Sequence, residues 1–309
     1  MLETNYIMTD YLKKYAYTPD IEEINRCLSN IAGSLENFTT AQVMKDCFSM
    51  MDLTSLKTQD TDQSILKLVR KVNAFKESYP DFPNPASICV FPNFAPTVKE
   101  ALTAEGVHVT VVSACFPSSQ SFIEVKLKEC ELAVEKGADE VDIVLALNAF
   151  MAGDYERASD EILQIRHCID SVAERQGRRV ILKVIIETGV LVSPENIAKA
   201  SFLAMESGAD FIKTSTGKVE VSATPVAATP VAAFVMCECI AAYYKLTGIK
   251  VGFKPAGGMS SAADAACYYS IVATVLGKDW LNKDLLRFGV SRVANSILST
   301  VEQKTVTFF

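Results

Sequence analysis

Eight short apolar, β-branched runs, each followed by a stretch with helical spacing, constrain this chain more than any other feature. The runs are 51–56 (MDLTSL), 87–91 (SICVF), 108–115 (HVTVVSAC), 140–147 (EVDIVLAL), 180–186 (VILKVII), 210–214 (DFIKT), 249–253 (IKVGF) and 286–290 (LRFGV). Between them, Ile65, Leu68, Val69 and Val72 recur three and four residues apart. Ile123, Leu127, Cys130 and Val134 do the same, as do Ile162, Ile165, Ile169 and Val172, so each set shares one helix face. Near-continuous apolar strands alternating with helices predict a parallel sheet covered on its outer side. Eight such units predict closure into an α/β fold of the (β/α)8 TIM-barrel type. The competing doubly wound sheet lacks its dinucleotide version, because no GxGxxG follows the first run.

The chain of 309 residues fits one barrel with an appendage. Residues 1–48 read as an N-terminal helical extension, in which Ile21, Ile24 and Leu28 share a face, and 49–309 as the barrel. No linker rich in Pro, Gly or Ser separates a second domain. A tandem ATPVA at 223–227 and 228–232 falls where the sixth barrel helix should begin. It reads as a neutral loop duplication, with the helix starting at the second copy.

Thirty Lys and Arg against 37 Asp and Glu give a net charge of −7, which argues against nucleic-acid and anionic-membrane partners. Any anion must be held by a local site. The two histidines, His108 and His167, have no ligand-type spacing, so no metal is expected. Nine scattered cysteines without CxxC pairs read as reduced thiols, and the first residues lack a secretory h-region. The expected location is cytoplasmic.

Barrel chemistry sits at the C-terminal ends of strands, so ionisable residues in the apolar runs are informative. Asp142 lies in the fourth run, Lys183 in the fifth with Glu187 four residues on, Lys213 in the sixth, and Lys254 just after the seventh. On this reading three lysines face two carboxylates. They could simply form buried ion pairs, but unmatched buried charge costs several kcal/mol per ion. A surplus cation lowers a neighbouring lysine's pKa, and a lysine relieved of its proton attacks carbonyl carbon to give a Schiff base. Glycine-bearing turns follow at 214–218 (TSTGK), 256–260 (AGGMS) and 289–292 (GVSR). Backbone N–H groups there can approach an anion, which suggests a phosphorylated substrate.

The segments LKVIIETG (182–189), GADFIKTSTGK (208–218) and GFKPAGG (252–258) follow GADEVDIV (137–144). With MDLTSL, ICVFP (88–92) and RFGVS (287–291), they resemble the deoxyribose-phosphate aldolase family over roughly residues 50–295. These are class I aldolases on a (β/α)8 barrel, which reversibly cleave 2-deoxy-D-ribose 5-phosphate to acetaldehyde and D-glyceraldehyde 3-phosphate. The resemblance implies that Lys213 is the Schiff-base lysine, Lys254 its neighbouring cation, Asp142 a proton shuttle acting with water, and Lys183 the holder of Asp142. It implies a phosphate site at Thr216, Gly217, Lys218, Gly257, Gly258 and Ser291. Asp52 and Thr54 would orient substrate hydroxyls, and Cys89 would line the pocket or be a packed thiol. No cofactor is implied, the partners are a small sugar phosphate and aldehydes, and a homodimer is the family expectation. Arg292 stands where many relatives have a second serine, and Phe308-Phe309 where some have a tyrosine. Two other readings stay open: a Schiff-base aldolase for a different sugar phosphate, and a non-catalytic phosphate-binding barrel.

Overall fold

The structure is a computed structural model that describes residues 10–219 and 228–309. Three helices come first: α1 (Tyr11–Lys14), α2 (Ile21–Gly33) and α3 (Ala41–Ser49). The barrel begins with β1 (Met51–Thr54), α4 (Asp62–Asn73), α5 (Phe75–Ser78), β2 (Ser87–Val90) and α6 (Ala95–Ala101). It continues through β3 (His108–Val112), α7 (Ile123–Glu135), β4 (Glu140–Val144), α8 (Leu147–Met151) and α9 (Tyr155–Arg175). Next come β5 (Ile181–Ile185), α10 (Thr188–Leu191), α11 (Pro194–Glu206), β6 (Phe211–Lys213) and α12 (Pro230–Thr247). The last elements are β7 (Gly252–Lys254), α13 (Ala262–Val275), β8 (Phe288–Val290) and α14 (Val293–Glu302).

The eight strands are parallel in the order β7-β6-β5-β4-β3-β2-β1-β8. Bridges Phe253↔Leu286 and Ala256↔Gly289 join the two end strands and close the ring. The fold is thus the (β/α)8 barrel that the apolar runs predict. Each run becomes a strand because its outward residues (Leu53, Ile88, Val141, Leu182, Ile212, Phe253) are buried beneath the helices.

Local signals set the helix ends. Thr61 and Ser64 form a reciprocal capping box at α4, and Ser261 and Asp264 form another at α13. Thr229 caps α12, which starts at Pro230 inside the second ATPVA copy; the first copy lies outside the described residues. The leading helices pack on the helical wall, α1 against α11, α2 against α12 and α13, and α3 against α13 and α14. Tyr15 stacks on Phe202 with ring centroids 4.2 Å apart, and its hydroxyl donates to Glu206 at 2.7 Å. Phe308 and Phe309 pack against Phe75 next to the segment that feeds β2, with Phe309 held by Asn295 at 2.8 and 2.9 Å. No helix of the described residues is long and apolar enough to cross a membrane.

Candidate active site

Strand alternation turns a second set of residues into the barrel, and in this chain much of that set is charged. Asp52 of β1, Glu140 and Asp142 of β4, Lys183 of β5, Lys213 of β6, Lys254 of β7 and Arg287 just ahead of β8 form one buried cluster. Register brings the upper members level, with Asp142 beside Lys183 and Lys213 beside Lys254. Two glycines make the room. A Cβ on Gly252 would run into the Phe211 ring, and one on Gly289 would lie 2.7 Å from the Ala256 Cβ and 3.2 Å from the Lys254 Cε. The Phe211 ring lies beneath the Lys183 ammonium and the Arg287 guanidinium, 6.0 and 5.8 Å from its centroid.

Asp142 is the hub. Its Oδ2 accepts from both Lys213 and Lys254 at 2.8 Å, so the two nitrogens lie within twice that distance of each other. Its Oδ1 accepts from Lys183 at 3.1 Å. Lys254 also pairs with Asp52, whose other oxygen takes Arg287 at 2.7 Å. Glu140 takes Lys183 on Oε2 and Arg287 on both oxygens, at 3.1 and 2.7 Å. The cluster therefore holds four cations, Lys183, Lys213, Lys254 and Arg287, against three carboxylates. The sequence sets three lysines against Asp142 and Glu187; the structure has Asp52 and Glu140 in place of Glu187 and adds Arg287, which again leaves one cation over. Glu140 and Arg287 each stand two residues from an inward position, and alternation applied to their charges would have shown them. Glu187, read as a strand carboxylate of the cluster, lies beyond β5 at φ +54° and accepts the Thr216 N–H at 3.1 Å. It braces the β6 loop.

Protonation follows from these partners. Burial pushes the Lys213 ammonium down, Asp142 pulls it up and Lys254 pushes it down again, with the net below an ordinary lysine. Burial contributes more to this lowering than Lys254, the neighbouring cation that the sequence points to. For Lys254 burial also acts downward, but Asp142 and Asp52 outweigh it and the net is upward. Burial drives Asp142 up, yet Lys183, Lys213 and Lys254 overcome it and hold the carboxyl well below its usual range. Asp52 and Glu140 are likewise held low by their cations against the effect of burial. Lys213 alone of these lysines has any exposure, 4% against 0% for Lys183 and Lys254.

The walls of the mouth differ. On the β1–β3 side, Leu56, Cys89 and Val112 form a small apolar cluster under half-buried Phe91 and Phe116. Burial raises the Cys89 thiol above its ordinary value. On the β6–β8 side, Gly217, Gly257 and Gly258 have φ of +69°, +85° and +78°, where only glycine is unstrained. Gly217 comes so close to Gly257 that an added Cβ would touch its Cα at 3.9 Å. The Thr214 hydroxyl ties the loops by donating to the Ala256 carbonyl and accepting the Ala256 N–H, both at 2.9 Å. Thr216 is buried and its hydroxyl accepts the Lys218 N–H at 3.0 Å; the Lys218 ammonium sits on the Leu56 carbonyl. Ser291 is exposed at the end of β8, ahead of α14, whose first turn receives no side-chain cap from Arg292. The start of α13, by contrast, is filled by Asp264, which accepts from the Ser260 and Ser261 N–H groups at 2.8 and 2.9 Å. Asp52 is fully buried, and Thr54 is half-buried with its hydroxyl on the Asp52 carbonyl at 2.9 Å.

Among the described residues no group of three or more His, Cys, Asp or Glu side chains is arranged to hold a metal ion. A surface groove of about 700 Å³ between α6 and α7, lined by Pro92, Pro96 and Leu132 among others, contains none of the cluster.

The sequence model of the DeoC/LacD family of aldolases matches residues 47–273, from the end of α3 into α13. The chain belongs to this family. A solved structure titled QR15, an aldolase, is 26% identical with a TM-score of 0.61, covering 84% of this chain and 95% of that one. Deoxyribose phosphate aldolase from Aeropyrum pernix, described as tetrameric, is 23% identical with a TM-score of 0.63, covering 91% and 98%. At that identity the second likeness concerns the fold. In this DeoC/LacD aldolase the matched span holds every lysine and carboxylate of the cluster; Arg287 and Ser291 lie beyond it.

Proposed function

We propose that this aldolase reversibly cleaves 2-deoxy-D-ribose 5-phosphate to acetaldehyde and D-glyceraldehyde 3-phosphate through a Schiff base on Lys213. The observation that carries the reading is the state of Lys213: a slightly exposed amine at the mouth of a parallel barrel, depressed by burial, with a fixed carboxylate 2.8 Å away. With Lys213 neutral, the cluster balances at three cations and three carboxylates, so the free amine is the form that best matches its surroundings.

In the cleavage direction the Lys213 amine adds to the C1 aldehyde, and the carbinolamine loses water to leave an iminium. The C3 hydroxyl gives up its proton, C3 becomes the aldehyde of the departing triose phosphate, and the C2–C3 electron pair flows into the iminium to form an enamine. A proton returned to C2 regenerates an iminium, and water hydrolyses it to acetaldehyde and free Lys213. Asp142, with a water, relays these protons, and Lys183 and Lys254 hold it in place. Asp52 acts through Lys254, since no part of it reaches the surface. Phosphate is received by Gly217, Gly257 and Gly258, the Ser291 hydroxyl and the uncapped start of α14, with Lys218 and Arg292 at the rim. The apolar wall of Leu56, Cys89, Val112, Phe91 and Phe116 keeps water from the two-carbon fragment.

Borohydride reduction in the presence of acetaldehyde tests the reading. A two-carbon adduct is expected on the peptide carrying Lys213, and Lys213→Ala should remove both adduct and deoxyribose 5-phosphate cleavage. Cleavage that survives in Lys213→Ala, or a wild type that forms no adduct, refutes it.

A further inference from the structure

The buried charges do not stop at the catalytic layer. They continue to the opposite end of the barrel, where one group meets solvent. His108, the first residue of β3, places Nδ1 2.7 Å from Glu140 Oε1, with its side chain 38% exposed. The same oxygen accepts Arg287 at 2.7 Å; Oε2 takes Lys183, Arg287 and the Thr110 hydroxyl, the last at 2.9 Å. Of the five donors to Glu140, counting Arg287 at each oxygen, only His108 is exposed, while Thr110, Lys183 and Arg287 are fully buried. From Glu140 one route runs through Lys183 and Asp142 to Lys213. A second runs through Arg287, Asp52, Lys254 and Asp142. Thr110 and Ser87 add a neutral branch, their hydroxyl oxygens 2.8 Å apart and Ser87 donating to Asp52 at 2.7 Å.

We propose that His108 is a positioning residue for the Schiff-base reaction, its charge state at the barrel floor tuning the readiness of Lys213 at the mouth. A proton on His108 draws the Glu140 carboxylate toward the floor. Lys183 then leans more on Asp142, and Asp142 offers less to Lys213. Protonated His108 therefore favours the free amine on Lys213. Imidazole ordinarily changes charge between pH 5 and 8, so the device sustains amine reactivity as the medium acidifies. Because the relay is buried, salt screens it little.

Other charges surround His108. Arg287 shares its carboxylate, and β2 presents only Ser87 opposite it. Lys99 of α6 and Arg178 ahead of β5 pair with Asp139, whose carboxylate caps the Val109 N–H. Glu105 lies in the preceding loop, and Lys283 donates to the Gly106 carbonyl at 3.0 Å. Among these groups only His108 is an imidazole in contact with Glu140.

The chain has just two histidines, and His167 is exposed on α9, so the test has a built-in control. The inference rests on Lys213 being the reactive amine, and two arms keep the two claims apart. In the first, borohydride-trapped acetaldehyde on Lys213 and kcat/KM are followed from pH 5 to 9 in wild type, His108→Gln and His167→Gln. His108→Gln keeps a hydrogen bond to Glu140 but carries no titrating charge. Its acid limb should move to higher pH, with roughly threefold to tenfold less adduct at pH 6 and equal adduct at pH 8.5; His167→Gln should follow wild type. In the second arm, the two imidazole signals are titrated by NMR in wild type and Lys213→Met. Coupling is reciprocal, so His108 should titrate at higher pH once the Lys213 charge is gone, and His167 should not move. Superimposable trapping profiles for wild type and His108→Gln, or a His108 titration indifferent to Lys213, would overturn the proposal. If wild type forms no adduct, or His108→Gln does not fold, the NMR arm alone decides the coupling.

Discussion

The end of β6 and the end of β7 present the same residue to the same partner and obtain opposite results. Lys213 and Lys254 are register neighbours, each 2.8 Å from Asp142 Oδ2. Burial pushes both amines down, yet Lys213 ends below an ordinary lysine and Lys254 above it. The difference is a carboxylate count. Lys254 has Asp52 as well, whereas Lys213 has Asp142 alone and must share it. A lysine of lowered pKa is thus made by giving its neighbour one more acid, and the neighbour's secured charge then counts against it.

Removing that extra acid breaks the comparison most severely. Asp52→Asn leaves Lys254 and Arg287 each short of a partner in a region with no access to water. A loss of about 3–5 kcal/mol of stability is expected, read as a lower denaturation midpoint at unchanged slope. If the midpoint holds, Asp52 is not what distinguishes the two lysines.

That the barrel was legible in the sequence, and the cluster only half so, has a physical basis. A strand buried on its outer face must be apolar there, and this writes runs such as VILKVII into the chain whatever the inner face carries. The inner face is free to hold charge, and an isolated charge in an apolar run says nothing of its partners around the ring. Asp142 and Lys183 stand out for that reason, while Glu140 opens the fourth run and Arg287 lies within the eighth, and neither shows its partners. Run ends were the least legible. Ile249 is 55% exposed, so the seventh strand starts only at Gly252, and the chain turns at Glu187 instead of carrying it along β5. The proposed phosphate cradle shows in the sequence only as glycines; that α13 is closed by Asp264 and α14 open follows from how the helix starts fold.

Removing the competing charge itself is a smaller perturbation, and it separates the two causes acting on Lys213. In Lys254→Met, Asp142 answers only to Lys213 and Lys183, so the Lys213 value rises and the acid limb of kcat/KM moves to higher pH. A move of about one pH unit means roughly tenfold less free amine at pH 7, recovered at alkaline pH. Asp52 keeps Arg287, which limits the damage to folding. A profile identical to wild type would assign the lowering of Lys213 wholly to burial, already its largest cause.

The smallest effect belongs to a residue outside the contest between the lysines. Ser291 lies exposed at the end of β8, whereas the charge cluster is buried. Its proposed task is a hydrogen bond to phosphate beside the uncapped first turn of α14. Ser291→Ala should therefore raise KM for deoxyribose 5-phosphate about fivefold, on the order of 1 kcal/mol for one exposed hydrogen bond. The pH dependence of kcat should not move, and trapping of unphosphorylated acetaldehyde on Lys213 should match wild type at every pH. A shifted pH profile in this variant would mean that the phosphate grip and the lysine pair are not independent, and the contrast between β6 and β7 would then have to include the end of β8.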